Sequence, residues 1–261
     1  MLLHLSYKRL WAVVLLLTMH AATALAQDSA DLTARVFPGI IGKDDRQIID
    51  SWARPWNAIG RVNVAGFKTR SMCSGTLISD RMVITAAHCL FDARTGKPHV
   101  PSKIHFVAGV RRDKFIAHTK AACTHLLDGY TFIAHPTLKH TATDVGVIVL
   151  KNALDVAPMQ VASKPIQRPW RQNLTSAGYA LDRPFLLAAD KNCKLLKNHS
   201  NLWLTTCDTN YGGSGGPVMV KEGGTLKLTA IMVASAQNKF SIAVPNKAWS
   251  HLLEKTSCDT P

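Results

Sequence analysis

The chain has 261 residues, of which 47% are hydrophobic and 18% charged, and its formal net charge at pH 7 is +14. This length suits one or two domains with a substantial core, and the apolar fraction excludes an intrinsically disordered chain. The basic residues are scattered, with no interleaved aromatic residues and no nucleic-acid-binding motif, so no nucleic acid is predicted as a partner.

The N-terminus has the pattern of a secretory signal peptide over residues 1–26. Lys8 and Arg9 give a positive start, residues 11–17 are almost all apolar, and Ala24-Leu25-Ala26 is a small-x-small cleavage site. A membrane anchor is the alternative, but the apolar run is shorter than the roughly 20 residues that span a bilayer. We predict cleavage near Ala26, a secreted or periplasmic location, and no stable membrane insertion afterwards.

Export would place the six cysteines in an oxidising compartment, where an even number favours three disulfides. The sequence has no Cys-x-x-Cys, and no pair of histidines stands at metal-ligand spacing on a predicted helix, so neither a metal nor a cofactor is expected.

The polar stretch from Gln27 predicts a propeptide over residues 27–39. The folded domain is assigned to residues 40–261.

The first predicted strands lead to a histidine. Residues 56–64 alternate as a strand, and residues 75–78 and 82–85 form a β-hairpin pattern around a Ser-Asp-Arg turn. His88 follows the second strand in a small-residue turn and adjoins Cys89. A single histidine usually has a structural role, but the adjacent cysteine and the Ala-Ala turn before it favour a functional role here.

Further strands are predicted at residues 104–109 and 130–134, and the next apolar run, residues 145–150, is preceded by Asp144. An aspartate beside a buried strand is itself partly buried and needs a hydrogen-bonding partner, which a histidine N–H would provide. The alternative is that Asp144 only caps the turn before the strand.

The second half of the chain repeats the pattern of short strands. Residues 216–221 and 225–235 predict a hairpin around Glu-Gly-Gly, and Asn246 is expected to cap a final helix in which Trp249, Leu252 and Leu253 share one face. Many short strands with one terminal helix predict an all-β protein with two barrels or sandwiches. The other expected strands are at residues 174–179 and 240–244, and the Pro-containing connection between the halves lies between Asp144 and Tyr179.

One serine lies in the most glycine-rich stretch, Gly212-Gly213-Ser214-Gly215-Gly216-Pro217. A serine hydroxyl is a nucleophile only when a base removes its proton and the resulting oxyanion is stabilised. Glycines before the serine allow two backbone N–H groups to point at one spot. A glycine-rich hairpin turn is the alternative interpretation.

Together these residues resemble a chymotrypsin-fold, trypsin-like serine peptidase. The resemblance lies in Thr85-Ala86-Ala87-His88-Cys89, Asp144-Val145-Gly146-Val147-Ile148 and Gly213-Ser214-Gly215-Gly216-Pro217, in the His, Asp, Ser order of that family. It implies two six-stranded antiparallel β-barrels, at about residues 50–155 and 170–245, and a C-terminal α-helix over residues 246–255.

Within that family the chain is most similar to the bacterial secreted branch that includes the glutamyl endopeptidases. Residues 41–46, 177–179 and 207–209 carry this likeness. The resemblance implies a monomeric endopeptidase that hydrolyses proteins or peptides through an acyl-enzyme. It also implies a catalytic triad of His88, Asp144 and Ser214, and an oxyanion hole formed by the N–H groups of Gly212 and Ser214.

Some positions depart from the family pattern. Animal digestive relatives have an aspartate before the serine, where this chain has Gly213, so we expect the turn from Thr209 to Gly212 to hold the oxyanion hole instead. Glutamate-selective relatives have a histidine on the strand around residues 230–235, and this chain has none there. The residue preference therefore stays open. The residues expected at the specificity pocket are Asp208, Thr209, Met232, Ala234 and Ile242.

The resemblance also implies three disulfides, Cys73–Cys89 across the first hairpin, Cys193–Cys207 beside the nucleophile and Cys123–Cys258 at the C-terminal helix. Two other functions stay open for the folded chain. One is a secreted binding protein that keeps the peptidase fold without turnover, which Gly213 and the altered pocket strand suggest. The other is a basic protein that binds anionic cell envelopes.

Overall fold

The computed structural model describes residues 39–65, 71–163, 173–199 and 201–258. The predicted signal peptide and nearly all of the predicted propeptide lie outside these residues, so both assignments stay predictions. Strands are the main regular secondary structure of the described chain. The strands in chain order are β1 (Gln47–Ile48), β2 (Ile59–Val64), β3 (Ser71–Leu77), β4 (Met82–Thr85), β5 (Ile104–Ala108), β6 (Ala117–Leu126), β7 (Gly146–Leu150), β8 (Leu174–Gly178), β9 (Ala188–Cys193), β10 (Leu195–His199), β11 (Leu202–Thr205), β12 (Pro217–Glu222), β13 (Thr225–Ala236) and β14 (Phe240–Pro245).

The helical segments are short. Within the described residues, no helix is long and apolar enough to cross a membrane. The α-helices are α1 (Leu138–Thr141) and α2 (Asn246–Trp249), and the 3-10 helices span Trp56–Ala58, Ala87–Leu90, Pro101–Lys103 and Ser250–Glu254.

Strands β2 to β7 form a closed antiparallel barrel in the order β2-β3-β4-β7-β6-β5. Alternation along β5 shows how the sequence fills it: Ile104, Phe106 and Ala108 are fully buried, while the residues between them are partly exposed. The strand β7 is buried along its whole length, as its uninterrupted apolar sequence requires. This confirms the first barrel.

The second half is an eight-stranded antiparallel sheet in the order β1-β9-β8-β12-β13-β14-β11-β10. Its two ends approach each other, because Thr206 N donates to Lys194 O over 2.9 Å and a disulfide joins Cys193 to Cys207. The sheet is therefore rolled. It has two strands more than the six expected, since the short β1 and the hairpin strand β10 extend its edges.

Two local predictions differ from the structure. The strand expected at residues 130–134 is a loop, in which Tyr130 and Phe132 pack on Phe91 with ring centroids 5.5 and 5.6 Å away. Aromatic residues are typical of strands, but here their side chains pack in this aromatic cluster and the backbone forms a loop. Strands β6, β9 and β10 were not predicted, because many of their residues are polar or charged and lie at exposed positions. The two-residue β1 and the four-residue β11, which is apolar and largely buried, were not predicted either.

The C-terminal helix is α2 followed directly by the 3-10 helix Ser250–Glu254. Trp249 and Leu252 are fully buried, as the predicted apolar face requires. Asn246 is the first residue of α2 rather than its cap, and its side-chain amide donates to Ala162 O over 3.0 Å. A disulfide from Cys123 on β6 to Cys258 attaches the end of the chain to the first barrel.

Candidate active site

His88 and Asp144 meet because they extend two neighbouring strands of the first barrel. Thr85, the last residue of β4, pairs with Gly146, the first residue of β7, so the segments beyond them leave the barrel side by side. Asp144 accepts two hydrogen bonds from His88, one from the backbone N–H over 2.8 Å and one from Nδ1 over 2.6 Å. The carboxylate fixes both the position and the tautomer of the imidazole.

The pair differs in exposure. Asp144 is 6% exposed, whereas about a third of the His88 side chain (35%) remains accessible. Burial of an ionised carboxylate is tolerated because both of its oxygens accept hydrogen bonds. Tyr130 lies near this pair. Burial, and then the charge of Asp144, raise the pKa of the Tyr130 hydroxyl above the usual range.

Ser214 approaches this pair from the second sheet. Its carbonyl accepts a hydrogen bond from Ser74 N over 2.8 Å and lies 3.9 Å from Cys89 Sγ, which is in turn 3.7 Å from His88 Nε2. Among the described residues the Ser214 hydroxyl makes no hydrogen bond to His88. Such bonds are often long or poorly aligned before substrate is bound, so this geometry does not exclude a proton transfer.

The residues before Ser214 form a tight turn. Gly213 N donates to Asn210 O over 2.8 Å, and Gly212 has φ of 92° at the third position of the turn, where a type II turn requires a left-handed residue. Within the described chain, the N–H groups of Gly212 and Ser214 have no acceptor. Two open backbone donors beside the serine are what an oxyanion hole needs.

Ser74 is a residue of this site that the sequence did not indicate. It is fully buried on β3, and its Oγ lies 3.0 Å from Gly212 O and accepts a hydrogen bond from Tyr179 N over 2.8 Å. It therefore connects the first barrel to the turn that precedes Ser214. Its position beside Cys73 is the only local signal, because the contact spans 138 residues of sequence.

Asp208 is not available to a substrate. Its two carboxylate oxygens accept backbone hydrogen bonds from Ile41 over 2.8 Å and Asp45 over 2.9 Å, and the residue is 4% exposed. Its own N–H donates to the buried carboxylate of Asp190 over 3.1 Å. Burial raises the pKa of both aspartates above 3.8, against the effect of the hydrogen bonds. Asp208 thus attaches the segment before β1 to the nucleophile loop.

The other residues expected at the specificity pocket separate by burial. Met232 and Ile242 are 2% and 4% exposed and belong to the hydrophobic core, whereas Thr209 and Ala234 are partly exposed. Ala234 pairs with Ile242 across β13 and β14. Met232 exchanges backbone hydrogen bonds with Gly215 and Gly216, so β13 lies beside the nucleophile.

A charged cluster lies beneath the same loop. Arg46 bonds to Asp44 and Asp182, and Arg183 bonds to the same two carboxylates. Although burial opposes the effect, the hydrogen bonds and charges of Arg46 and Arg183 lower the pKa of Asp44 to about 2 and also lower the pKa of Asp182. The local sequence did not indicate this cluster, since Arg46 and Asp182 are 136 residues apart.

The three disulfides join the cysteine pairs that the resemblance implied: Cys73–Cys89, Cys123–Cys258 and Cys193–Cys207. Cys73, Cys89 and His88 are close enough together to suggest a metal site. The sulfurs are bonded to each other, however, and a metal ligand must be a thiolate. The cluster is therefore a disulfide packed on the imidazole.

A closed antiparallel barrel beside a rolled antiparallel sheet defines the chymotrypsin-like class of β-proteins. The family model of the trypsin-like peptidase domain matches residues 73–226, which is more than half of the chain. The chain therefore belongs to the trypsin-like peptidase family, whose substrates are proteins or peptides.

A solved structure of a Glu endopeptidase in complex with MPD is similar to this chain. The match has a TM-score of 0.69 and 16% sequence identity, and it covers 83% of this chain and 99% of that one. At this identity the likeness concerns the fold. No curated protein sequence matches the chain.

Proposed function

We propose that this chain is a secreted serine endopeptidase that hydrolyses peptide bonds through Ser214, His88 and Asp144. The observation that carries the proposal is the double hydrogen bond between His88 and Asp144 at the strand ends that face the Ser214 loop. A histidine held in this way has a free Nε2 edge for a serine hydroxyl. The three disulfides support export to an oxidising compartment.

The first step forms an acyl-enzyme. Ser214 Oγ attacks the substrate carbonyl while His88 Nε2 takes the hydroxyl proton, and Asp144 stabilises the imidazolium that results. The N–H groups of Gly212 and Ser214 donate hydrogen bonds to the carbonyl oxygen and stabilise its negative charge. His88 then gives the proton to the leaving amine, the C–N bond breaks, and the acyl group stays on Ser214.

Water completes the cycle. His88 removes a proton from the water that attacks the acyl carbon, and it returns this proton to Ser214 Oγ as the ester bond breaks. The loss of one oxyanion donor typically costs ~3 kcal/mol of transition-state stabilisation. Because both oxygens of Asp208 are occupied by backbone donors, we expect no preference for Arg or Lys at the cleaved bond.

The proposal is tested by labelling the folded, processed protein with a fluorophosphonate, which reacts with an activated serine. We expect one label on Ser214, no label in Ser214→Ala, and wild-type labelling in Ser250→Ala, which changes an exposed serine. Hydrolysis of a diverse peptide mixture should be lost in the same variant. The absence of labelling in wild-type protein with all three disulfides would contradict the proposal.

A binding protein without turnover is the second candidate. Two features favour it: no hydrogen bond joins the Ser214 hydroxyl to His88 among the described residues, and Gly213 stands where animal digestive relatives have an aspartate. This candidate predicts a folded protein that binds peptides, neither reacts with the fluorophosphonate nor cleaves the peptide mixture, and binds equally well as Ser214→Ala.

A further inference from the structure

The charged cluster beneath the nucleophile loop contains a guanidinium that is almost completely buried. The side chain of Arg46 is 4% exposed and that of Asp182 is 6% exposed, and two N–O contacts of 2.9 and 3.3 Å join them. Arg46 also contacts both oxygens of Asp44 over 2.9 Å. A planar guanidinium held by two carboxylates has a fixed orientation, so Asp182 is fixed in turn.

Asp182 in turn holds the side chain of Asn210 in place. Asn210 Nδ2 donates to Asp182 Oδ1 over 3.2 Å, and its Oδ1 accepts a hydrogen bond from Tyr211 N over 2.8 Å. The Asn210 carbonyl accepts from Gly213 N over 2.8 Å and closes the turn around Gly212. Asn210 therefore holds the turn through both its side chain and its backbone, and the residue is 6% exposed.

The structure has no room for an acidic side chain at position 213, so such a side chain cannot hold the turn here. A Cβ atom on residue 213 would collide with Thr209 Oγ1 and lie 3.0 Å from Asn210 O. A small cavity behind the turn is lined by Arg46, Asn210 and Gly213 among others. The buried guanidinium of Arg46 therefore lies close to the turn.

We propose that Arg46, Asp182 and Asn210 are positioning residues that hold the Gly212 N–H group toward the oxyanion. This inference rests on the proposed peptidase function. Arg46 fixes Asp182, Asp182 fixes the Asn210 amide, and Asn210 fixes the turn in which Gly212 has φ of 92°. The carbonyl of the peptide group between Tyr211 and Gly212 accepts a hydrogen bond from Leu181 N over 2.7 Å. Without the Asn210 contacts this bond alone orients the peptide group, and the Gly212 N–H turns away from the hole.

The first test compares Asn210→Ala and Asp182→Ala with the wild type in steady-state kinetics. Since the oxyanion exists only in the transition state, kcat should fall by about 10- to 100-fold in each variant while KM changes less than about twofold. Asp50→Ala is the matched control, because Asp50 is an exposed carboxylate that pairs with Arg112 outside the cluster; its kcat should stay near wild type. Equal losses in Asp50→Ala and Asp182→Ala would overturn the inference.

A second test uses pH. Asn210→Asp keeps an acceptor for Tyr211 N but places a carboxylate against Asp182, and like charges raise the pKa of one of them. At neutral pH the variant lacks the donor; when one carboxyl is protonated, the hydrogen bond can form again. The ratio of variant to wild-type kcat should therefore rise as pH falls. A ratio that does not change with pH would contradict the assigned hydrogen bond.

The crystal structure of Asn210→Ala separates this inference from the proposed function. We expect an altered turn, with the Gly212 N–H turned away from the site. An unchanged turn would overturn the positioning role even in an active enzyme. A wild-type protein that does not react with the fluorophosphonate would instead overturn the peptidase function, whatever the turn does in the variant.

Discussion

The two halves of the site are built in different ways. His88 and Asp144 extend paired strands of a closed barrel, and one carboxylate joins them directly. Ser214 stands in a loop without regular secondary structure, which is held by side chains from elsewhere in the chain, including Ser74 and Asp182. His88 is therefore positioned by the pairing of two barrel strands, whereas the Ser214 loop depends on side chains outside any strand pairing.

The largest expected effect comes from the barrel half. Asp144→Asn keeps the shape of the side chain but leaves the imidazole in the wrong tautomer, so kcat should fall by ~10⁴-fold. Steady-state hydrolysis of a peptide substrate measures this effect. Asp155→Asn, which changes an exposed aspartate after the same strand, should retain wild-type kcat. A comparable loss in both variants would show that the effect is not due to the contact with His88.

A smaller effect is expected from the loop half. In Gly213→Ala the new methyl group collides with Thr209 and displaces the turn, so kcat should fall by about 10²- to 10³-fold, the loss typical of one oxyanion donor. Overpacking should also lower the free energy of unfolding by about 1–3 kcal/mol.

Gly223→Ala is the control for Gly213→Ala. Residue 223 has φ of 60° in an exposed turn with open space around it. An alanine there strains the backbone, so the free energy of unfolding of the variant should fall without a change in kcat. Kinetics and urea denaturation separate the two effects. Wild-type kcat in Gly213→Ala would contradict the importance of the tight turn.

The smallest effect is expected where the two halves meet. Ser74→Ala leaves the Gly212 carbonyl without its side-chain donor, which should lower the free energy of unfolding by about 1–2 kcal/mol and kcat by about tenfold. Ser71→Ala on the same strand is exposed and should change neither quantity. A stability loss with unchanged kcat would limit Ser74 to a structural role.

The difference between the halves also explains what the sequence could predict. His88, Asp144 and Ser214 lie in short motifs with adjacent strand patterns, and the family resemblance supplied their common site. The contacts of Ser74 and Arg46 could not be predicted, because their partners Gly212 and Asp182 lie 138 and 136 residues away. Asp208 was expected at the specificity pocket, but a segment before β1 occupies both of its oxygens.

Among the strands, periodicity was reliable where the buried positions carry large apolar side chains, as in β5. The strand β6 was missed because its buried positions are Thr119 and Ala121, which give a weak apolar signal between the exposed His118 and Lys120. The extra edge strand β1 pairs with the distant β9, and strand propensity does not determine such a partner. The other extra strand, β10, forms a hairpin with β11 and has mostly exposed residues.

The bond between Cys123 and Cys258 joins residues 135 positions apart, and Ser257 O beside it contacts His125 Nε2 over 2.9 Å. It closes a covalent loop that contains every strand of the second sheet except β1. A single backbone cut anywhere inside that loop would thus leave two fragments linked to each other, and they would separate on a denaturing gel only after reduction. An enzyme that shares its surroundings with other peptidases would stay in one piece after such damage.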